Sequence, residues 1–158
     1  MKPLNFIATA RDLVHANSKG RTRETNIRRA VSTTYYALFH CLATSNANML
    51  VGGPGANRSQ PAWRQAYRAL QHGTARQRCE HQGIIIKFPD EIQDFAERFA
   101  DMQKKRHEAD YDPDTTFFKS DVIQDITDAE DVIRCFNSVP ARDRRAFAVY
   151  VLLPLRTD

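Results

Sequence analysis

A charged pair closes an otherwise apolar helical face in the second half of the chain. The apolar positions of this face are Ile92, Phe95, Ala96, Phe99 and Met102. The same spacing of three or four continues to Arg106 and Asp110, which can bond each other on one side of a helix. Charges on a core-facing stripe form a structural ion pair or belong to a functional site, because an unpaired charge is costly there. The spacing leaves both interpretations open.

An earlier segment, RRAVSTTYYALFHCLA, carries a second group of side chains that could do chemistry. Tyr35, Tyr36 and His40 place hydroxyl and imidazole groups among core residues at helical spacing. A hydroxyl or imidazole group that is buried together with its apolar ring needs a hydrogen-bond partner. These residues are therefore either core residues with such partners or part of a binding site. The doublet Arg28-Arg29 stands about one helical turn earlier, and it is either a solvated face or a phosphate contact.

Three further features give weaker signals. His72, in the segment RALQHG, is expected at a helix C-terminus, where a protonated imidazole would favour the negative end of the dipole. Cys79 and His81 could supply two metal ligands, but structural zinc sites use four and no second pair has suitable spacing, so we predict no metal and no cofactor. The glycines at 52–55 lack the Lys-Ser/Thr that follows in a phosphate-binding loop.

Helices must position all of these residues. Apolar residues recur at helical spacing in nearly every segment, and no convincing strand pattern is present, so the sequence predicts an all-α, up-and-down bundle of five to six helices. Pro140 closes the fifth helix and could open a short sixth. The tail AFAVYVLLPL could form a strand, but without a second strand we expect a docked helix. The five main predicted helices cover residues 4–17, 22–45, 62–78, 90–111 and 120–136.

The chain length and cysteine content indicate one domain in a reducing compartment. A chain of 158 residues is the usual size of a single domain. We assign residues 1–158 to it, with 48–61 as a mobile loop rich in Gly and Pro and 139–158 as a C-terminal extension. The longest apolar run is well below the roughly 18–20 residues of a membrane span, and no signal peptide is recognisable. Three scattered cysteines without a CxxC pair favour the cytoplasm.

Charge is distributed unevenly along the chain. Residues 1–87 hold 13 Lys and Arg against 3 acids, whereas residues 88–158 hold 10 against 16. The two parts therefore carry +10 and −6. Arginines offer forked donors to phosphate oxygens, which favours RNA or nucleotide as a partner. The alternative is that the two parts attract each other within the fold or across a dimer.

Two segments together resemble the HEPN superfamily. They are RRAVSTTYYALFHCLA and KKRHEADYDP, and the histidine-containing segment RALQHG lies between them. In the branch that the chain resembles, an Arg-Arg-Ala-x-Ser-x-x-Tyr-Tyr-Ala-x-Phe helix packs against a later helix that ends in Arg-x-x-Ala-Asp-Tyr. With the flanking helices, the resemblance covers about residues 5–138.

The resemblance implies a helical bundle that forms a homodimer, often encoded beside a minimal nucleotidyltransferase or within toxin–antitoxin and phage-defence modules. Active members are metal-independent ribonucleases, in which an arginine is followed after four to six residues by a histidine. The two motifs meet across the dimer in a composite cleft. The histidine assists attack of the ribose 2′-hydroxyl on the adjacent phosphate, and the arginine stabilises the charge that develops on phosphorus.

The ribonuclease motif is incomplete in this chain. Arg106 matches the arginine, but Tyr111, Asp112 and Pro113 stand where the histidine would be. His107 points about 100° away from Arg106 around the helix, and a tyrosine hydroxyl is a poor base at neutral pH. The candidate catalytic residues are Arg106, His107, Asp110 and Tyr111. The candidate RNA- or nucleotide-binding residues are Arg28, Arg29, Tyr35, Tyr36, His40 and His72.

Two hypotheses follow. The first is a HEPN-like component of a prokaryotic toxin–antitoxin or defence module that binds RNA or nucleotide in a dimer cleft, with ribonuclease activity left open. The second is a catalytically inert helical dimer that acts as a protein-interaction or antitoxin-type partner. The candidate partner proteins are a nucleotidyltransferase and an antitoxin. The arginine-rich first part of the chain favours the first hypothesis, and the missing histidine favours the second.

Overall fold

The computed structural model describes residues 1–16 and 20–156, and all regular structure in these ranges is helical. The predicted all-α fold class is therefore confirmed. The predicted number of helices is too low, because eight helices occur in the described ranges. They are α1 (Pro3–His15), α2 (Glu24–Val51), α3 (Gln60–Arg68), α4 (His72–Glu80), α5 (Gln82–Ile85), α6 (Asp90–Tyr111), α7 (Lys119–Asn137) and α8 (Ala141–Leu152).

Helix α2 is the central element of the bundle. It packs against α1, α3, α6, α7 and α8, and most of its middle turns are buried. The five largest fully buried side chains come from four helices and are Tyr35, Phe95, Phe99, Phe136 and Phe147. Burying such a side chain contributes about 1.5–3 kcal/mol, so this aromatic core fixes α2 against α6 and α7.

The predicted helix 62–78 is two helices, α3 and α4, and the phase of the apolar residues explains the break. The spacing of Trp63, Tyr67 and Leu70 would continue to 74 and 77, which are polar, whereas the buried side chains of α4 are Ala75 and Cys79. The chain leaves the helical conformation at residue 71, which has φ −112° and ψ 132°. His72 consequently begins a helix, and its expected place at a helix C-terminus is wrong.

Helix α2 runs further than predicted, to Val51, so residues 48–51 of the expected loop are helical. It ends at Gly52, whose φ of 131° favours glycine. Arg58 then donates to the Asn48 side chain at 3.2 Å and to the Gly52 carbonyl at 2.9 Å, and its guanidinium lies 4.7 Å from the Trp63 ring centroid. The loop is thus tied to the helices on both sides; its predicted mobility stays a prediction.

The remaining boundaries agree closely with the prediction. Helix α6 has the predicted bounds, and α7 begins one residue before Ser120. The expected sixth helix and the docked tail form one helix, α8, which starts after Pro140 and buries Phe147 and Tyr150. The predicted end of α1 at 17, with Ser18 as part of its stop signal, lies outside the described residues.

The described helices include none that is both long and apolar enough to cross a membrane.

Candidate functional site

The predicted ion pair at the end of α6 is present. Arg106 Nη1 lies 3.5 Å from Asp110 Oδ2, and the side chains are 12% and 32% exposed. The Ser32 hydroxyl of α2 donates to Asp110 Oδ1. The carboxylate is therefore held from two sides, while the guanidinium turns toward the interior between α2 and α6.

Arg106, Tyr35 and His72 form a cluster, which we call the arginine cluster. The Arg106 guanidinium lies over the Tyr35 ring, 5.3 Å from its centroid, and the Tyr35 hydroxyl is 2.6 Å from His72 Nδ1. The imidazole also stacks on Phe39 at a centroid distance of 4.2 Å. Three helices, α2, α4 and α6, thus bring an arginine over the ring of one tyrosine and a histidine to its hydroxyl group.

The electrostatics of the arginine cluster favour a neutral histidine beside a fixed positive charge. Burial lowers the pKa of His72, and the charge of Arg106 lowers it further. Burial also raises the pKa of Tyr35, against the opposing effect of Arg106. When the Tyr35 hydroxyl donates to Nδ1 of the neutral ring, Nε2–H remains free to donate to a ligand oxygen.

One donor of Arg106 has no acceptor. Its Nε is buried and makes no hydrogen bond within the described part of the chain. A buried donor without a partner costs about 1–3 kcal/mol, so the position is either a strained structural contact or a site prepared for an anion. The Nη1 contact to Asp110 is long for a hydrogen bond, and it leaves the guanidinium with capacity for a ligand.

A second histidine–tyrosine pair lies close to the first. His40 Nδ1 bonds the Tyr67 hydroxyl, and the His40 ring stacks on Phe6 of α1 at 4.9 Å. Burial lowers the pKa of His40, with smaller contributions from the amino terminus and from His72. Tyr36 lies between the two histidines, with its ring centroid 6.2 Å from each.

The two arginines of the doublet, Arg28 and Arg29, have different surroundings. Arg28 donates to the carbonyls of Glu108, Ala109, Asp112 and Thr115 at 2.6 to 3.3 Å, so its guanidinium caps the end of α6. Its donors are therefore engaged within the fold. Arg29 is exposed and lines a groove with Ser32, Tyr36 and Asp110.

His107 and Tyr111 lie apart from the arginine cluster. Their rings contact each other at 5.1 Å, and Tyr111 is 69% exposed. Among the described residues, no hydrogen bond, ion pair or ring contact joins either side chain to Arg106, Tyr35 or His72. The structure therefore brings together six of the ten predicted site residues around Arg106: Arg29, Tyr35, Tyr36, His72, Arg106 and Asp110. His40 joins them through Tyr36.

A groove runs along α1 and α2 beside this cluster. One section, of about 390 Å³, is lined by Lys2 and by Asn5 and Phe6 of α1, and the other, of about 420 Å³, by Arg29 and Asp110. Thr9, Thr33 and Tyr36 line both sections, so the two adjoin. Phe6 is not among the predicted site residues, although its place beside the buried Ile7 could have marked it as a groove residue.

Most of the basic residues in the first part of the chain are not neutralised by the acids of the second. In the ranges that the structure describes, one ion pair joins a base of the first part to an acid of the second, between Arg11 and Glu130 at 2.5 Å. The acids around Asp125 bond Arg98 and Lys105 of their own part. Exposed basic side chains of the first part without an ion pair in the described ranges are Lys2, Arg21, Arg23, Arg29, Arg64, Arg68 and Lys87.

Within the described residues, no three His, Cys, Asp or Glu side chains are grouped so that they could hold a metal ion. The three cysteines Cys41, Cys79 and Cys135 are free thiols. Comparisons with models of protein families, with curated proteins and with solved structures find no match to this chain. The resemblance to the HEPN superfamily therefore stays a prediction.

Proposed function

We propose that this protein binds RNA or nucleotide at the arginine cluster and the adjoining groove, as a HEPN-like component of a prokaryotic toxin–antitoxin or defence module. The observation that carries the proposal is the Arg106 guanidinium, which is mostly buried, has an unpartnered Nε and lies across a tyrosine from a histidine. A phosphate group would supply the missing acceptor, and the forked guanidinium suits its geometry.

The surrounding charge supports the same ligand. Arg29 stands at the mouth of the groove, and the basic side chains of the first part of the chain are largely free of ion pairs in the described ranges. Phosphate contacts of this kind supply most of the affinity of nucleic-acid-binding proteins. His72 adds a neutral donor that can bond a phosphate oxygen, and because the histidine of the ribonuclease motif is missing we expect binding without cleavage.

Salt titration of RNA binding tests the proposal. Binding of a mixed single-stranded RNA at about 50 mM salt should weaken steeply as salt rises, because each neutralised phosphate releases counterions. Arg29→Ala should make the slope of log affinity against log salt concentration less steep, by the equivalent of about one phosphate contact. Arg142→Ala, which removes an exposed arginine at the start of α8, is the matched control and should leave the slope unchanged. Undetectable binding at about 50 mM salt would overturn the proposal.

The second candidate function is an inert helical protein that binds a protein partner. Asp110 favours it, because its carboxylate lies beside Arg106 and opposes the approach of a phosphate. Incubation of the purified protein with total RNA in EDTA separates catalysis from binding. A stable complex with a nucleotidyltransferase or toxin encoded beside the gene, together with no RNA binding, would support this second function.

A further inference from the structure

The groove between α1 and α2 has a floor that the phosphate-binding proposal does not use. Phe6 and Tyr36 supply two half-buried aromatic rings, and Asn5, Thr9 and Thr33 place amide and hydroxyl groups along the rim. Flat apolar rings beside hydrogen-bonding groups suit a planar heterocycle that has polar edges.

The rings are held in fixed positions before any ligand binds. Phe6 stacks on His40, with an interplanar angle of 18°, and His40 is anchored by its bond to Tyr67. Tyr36 is packed edge-on against Phe39, at an interplanar angle of 80°. Preorganised rings lose little conformational entropy on binding, which favours stacking of a ligand on them.

Positive charge stands at both ends of the groove. Lys2 lies at one end, and Arg29 lies at the other. Asp110 is the acid among the lining residues of the two sections, and it is already bonded by Ser32 and paired with Arg106. A strand that places bases on the aromatic floor would therefore meet cations where its phosphates leave the groove.

We propose that this groove is a base-stacking site for single-stranded nucleic acid, in which a base lies against Phe6 and Tyr36 while the flanking phosphate reaches Arg29. The proposal rests on the proposed function and names its ligand class. It excludes duplex RNA, because bases within a duplex are not free to stack on a protein ring.

The test compares two oligoribonucleotides of the same length and charge, one with bases and one with abasic sites throughout. Wild-type protein should bind the base-containing strand about tenfold more tightly or better, since each stacked base contributes binding energy of that order. Tyr36→Leu should reduce the difference several-fold. The matched control is Phe88→Leu, which removes a half-buried ring that packs on Phe147 and Tyr150 instead.

The outcomes separate the two proposals. Equal affinity for both strands would overturn the stacking site and leave phosphate binding intact, whereas binding of neither strand would overturn both. A preference for bases that persists in Tyr36→Leu would place the bases elsewhere and also overturn the inference. If that variant melts early, NMR of the wild-type protein decides, because the ring protons of Phe6 and Tyr36 must shift with the base-containing strand and not with the abasic one.

Discussion

Arg106 combines two contacts with one unsatisfied donor. Its guanidinium pairs with Asp110 and covers the Tyr35 ring, and its buried Nε has no acceptor among the described residues. Arg98, which pairs with Asp125 and Asp128, leaves its buried Nε unsatisfied in the same way, so the feature that sets Arg106 apart is the tyrosine–histidine pair beside it. Periodicity alone predicted the pair with Asp110, because both lie on one helical face. It could not predict the link to His72, which depends on where a separate helix, α4, begins.

The Arg106–Asp110 pair should contribute modestly to stability. Arg106→Ala should lower the free energy of unfolding by about 1–2 kcal/mol. The ion pair contributes little because the carboxylate is partly solvated, and the loss of the contact with the Tyr35 ring adds to the effect. A double-mutant cycle with Asp110→Ala, followed by urea denaturation, should give a coupling of about 0.3–1 kcal/mol. Strictly additive losses would show that the two side chains do not interact.

Stability should fall as pH is lowered through the range in which a free histidine becomes protonated. His72 and His40 have lowered pKa values in the folded state, so the unfolded chain binds protons first and is favoured as pH drops below about 6.5. Both contributions are fully present above that pH. His72→Gln should reduce the slope of unfolding free energy between about pH 7.5 and 5.5. An unchanged slope in denaturant titrations would contradict the burial of this imidazole.

At the scale of helices, the signals at helix ends and the spacing of apolar residues decide which helix boundaries can be predicted from the sequence. The bounds of α6 follow from Pro89 and the acids after it, and from Pro113 beyond its end, all of which are local signals. Residues 69–71, between α3 and α4, contain no proline or glycine from which the break could be predicted. It arises because Leu70 and Ala75 must both face the core, which a continuous helix would not allow.

The end of α6 depends on Arg28 of α2. Arg28 donates to the carbonyls of Glu108 and Ala109 in the last turn and to those of Asp112 and Thr115 in the segment that follows, so Arg28→Ala should lower the free energy of unfolding by about 2–3 kcal/mol. Hydrogen exchange should quicken at residues 108–115 in particular. Arg29→Ala removes the same charge from the neighbouring exposed position, and its melting temperature should stay close to that of the wild type.

At the scale of the whole molecule, the uneven charge of the sequence remains uneven in the folded protein. Of the ion pairs in the described ranges, Arg11–Glu130 joins a base of the first part to an acid of the second. Asp125 of α7 instead bonds Arg98 and Lys105 of α6. Much of the positive charge of the first part is thus not neutralised by acids within the described ranges.

We expect the protein to be a dimer in solution. The HEPN resemblance implies one, and Tyr111 and Phe118, at the two ends of the α6–α7 connection, are 69% and 64% exposed. Aromatic side chains are enriched in surfaces that another molecule covers. Light scattering at micromolar concentration should give twice the monomer mass of 18.1 kDa.

Two variants locate the interface of that dimer. Phe118→Ser should shift the protein toward the monomer, because it removes apolar area from the expected contact. Ile86→Ser changes a side chain that is equally exposed, at 69%, but lies after α5, and it should leave the mass unchanged. A wild-type protein that scatters as a monomer would contradict the dimer. If only Ile86→Ser dissociates the dimer, the interface lies at α5, away from Arg106. A cleft shared between the arginine clusters of two copies would then be excluded.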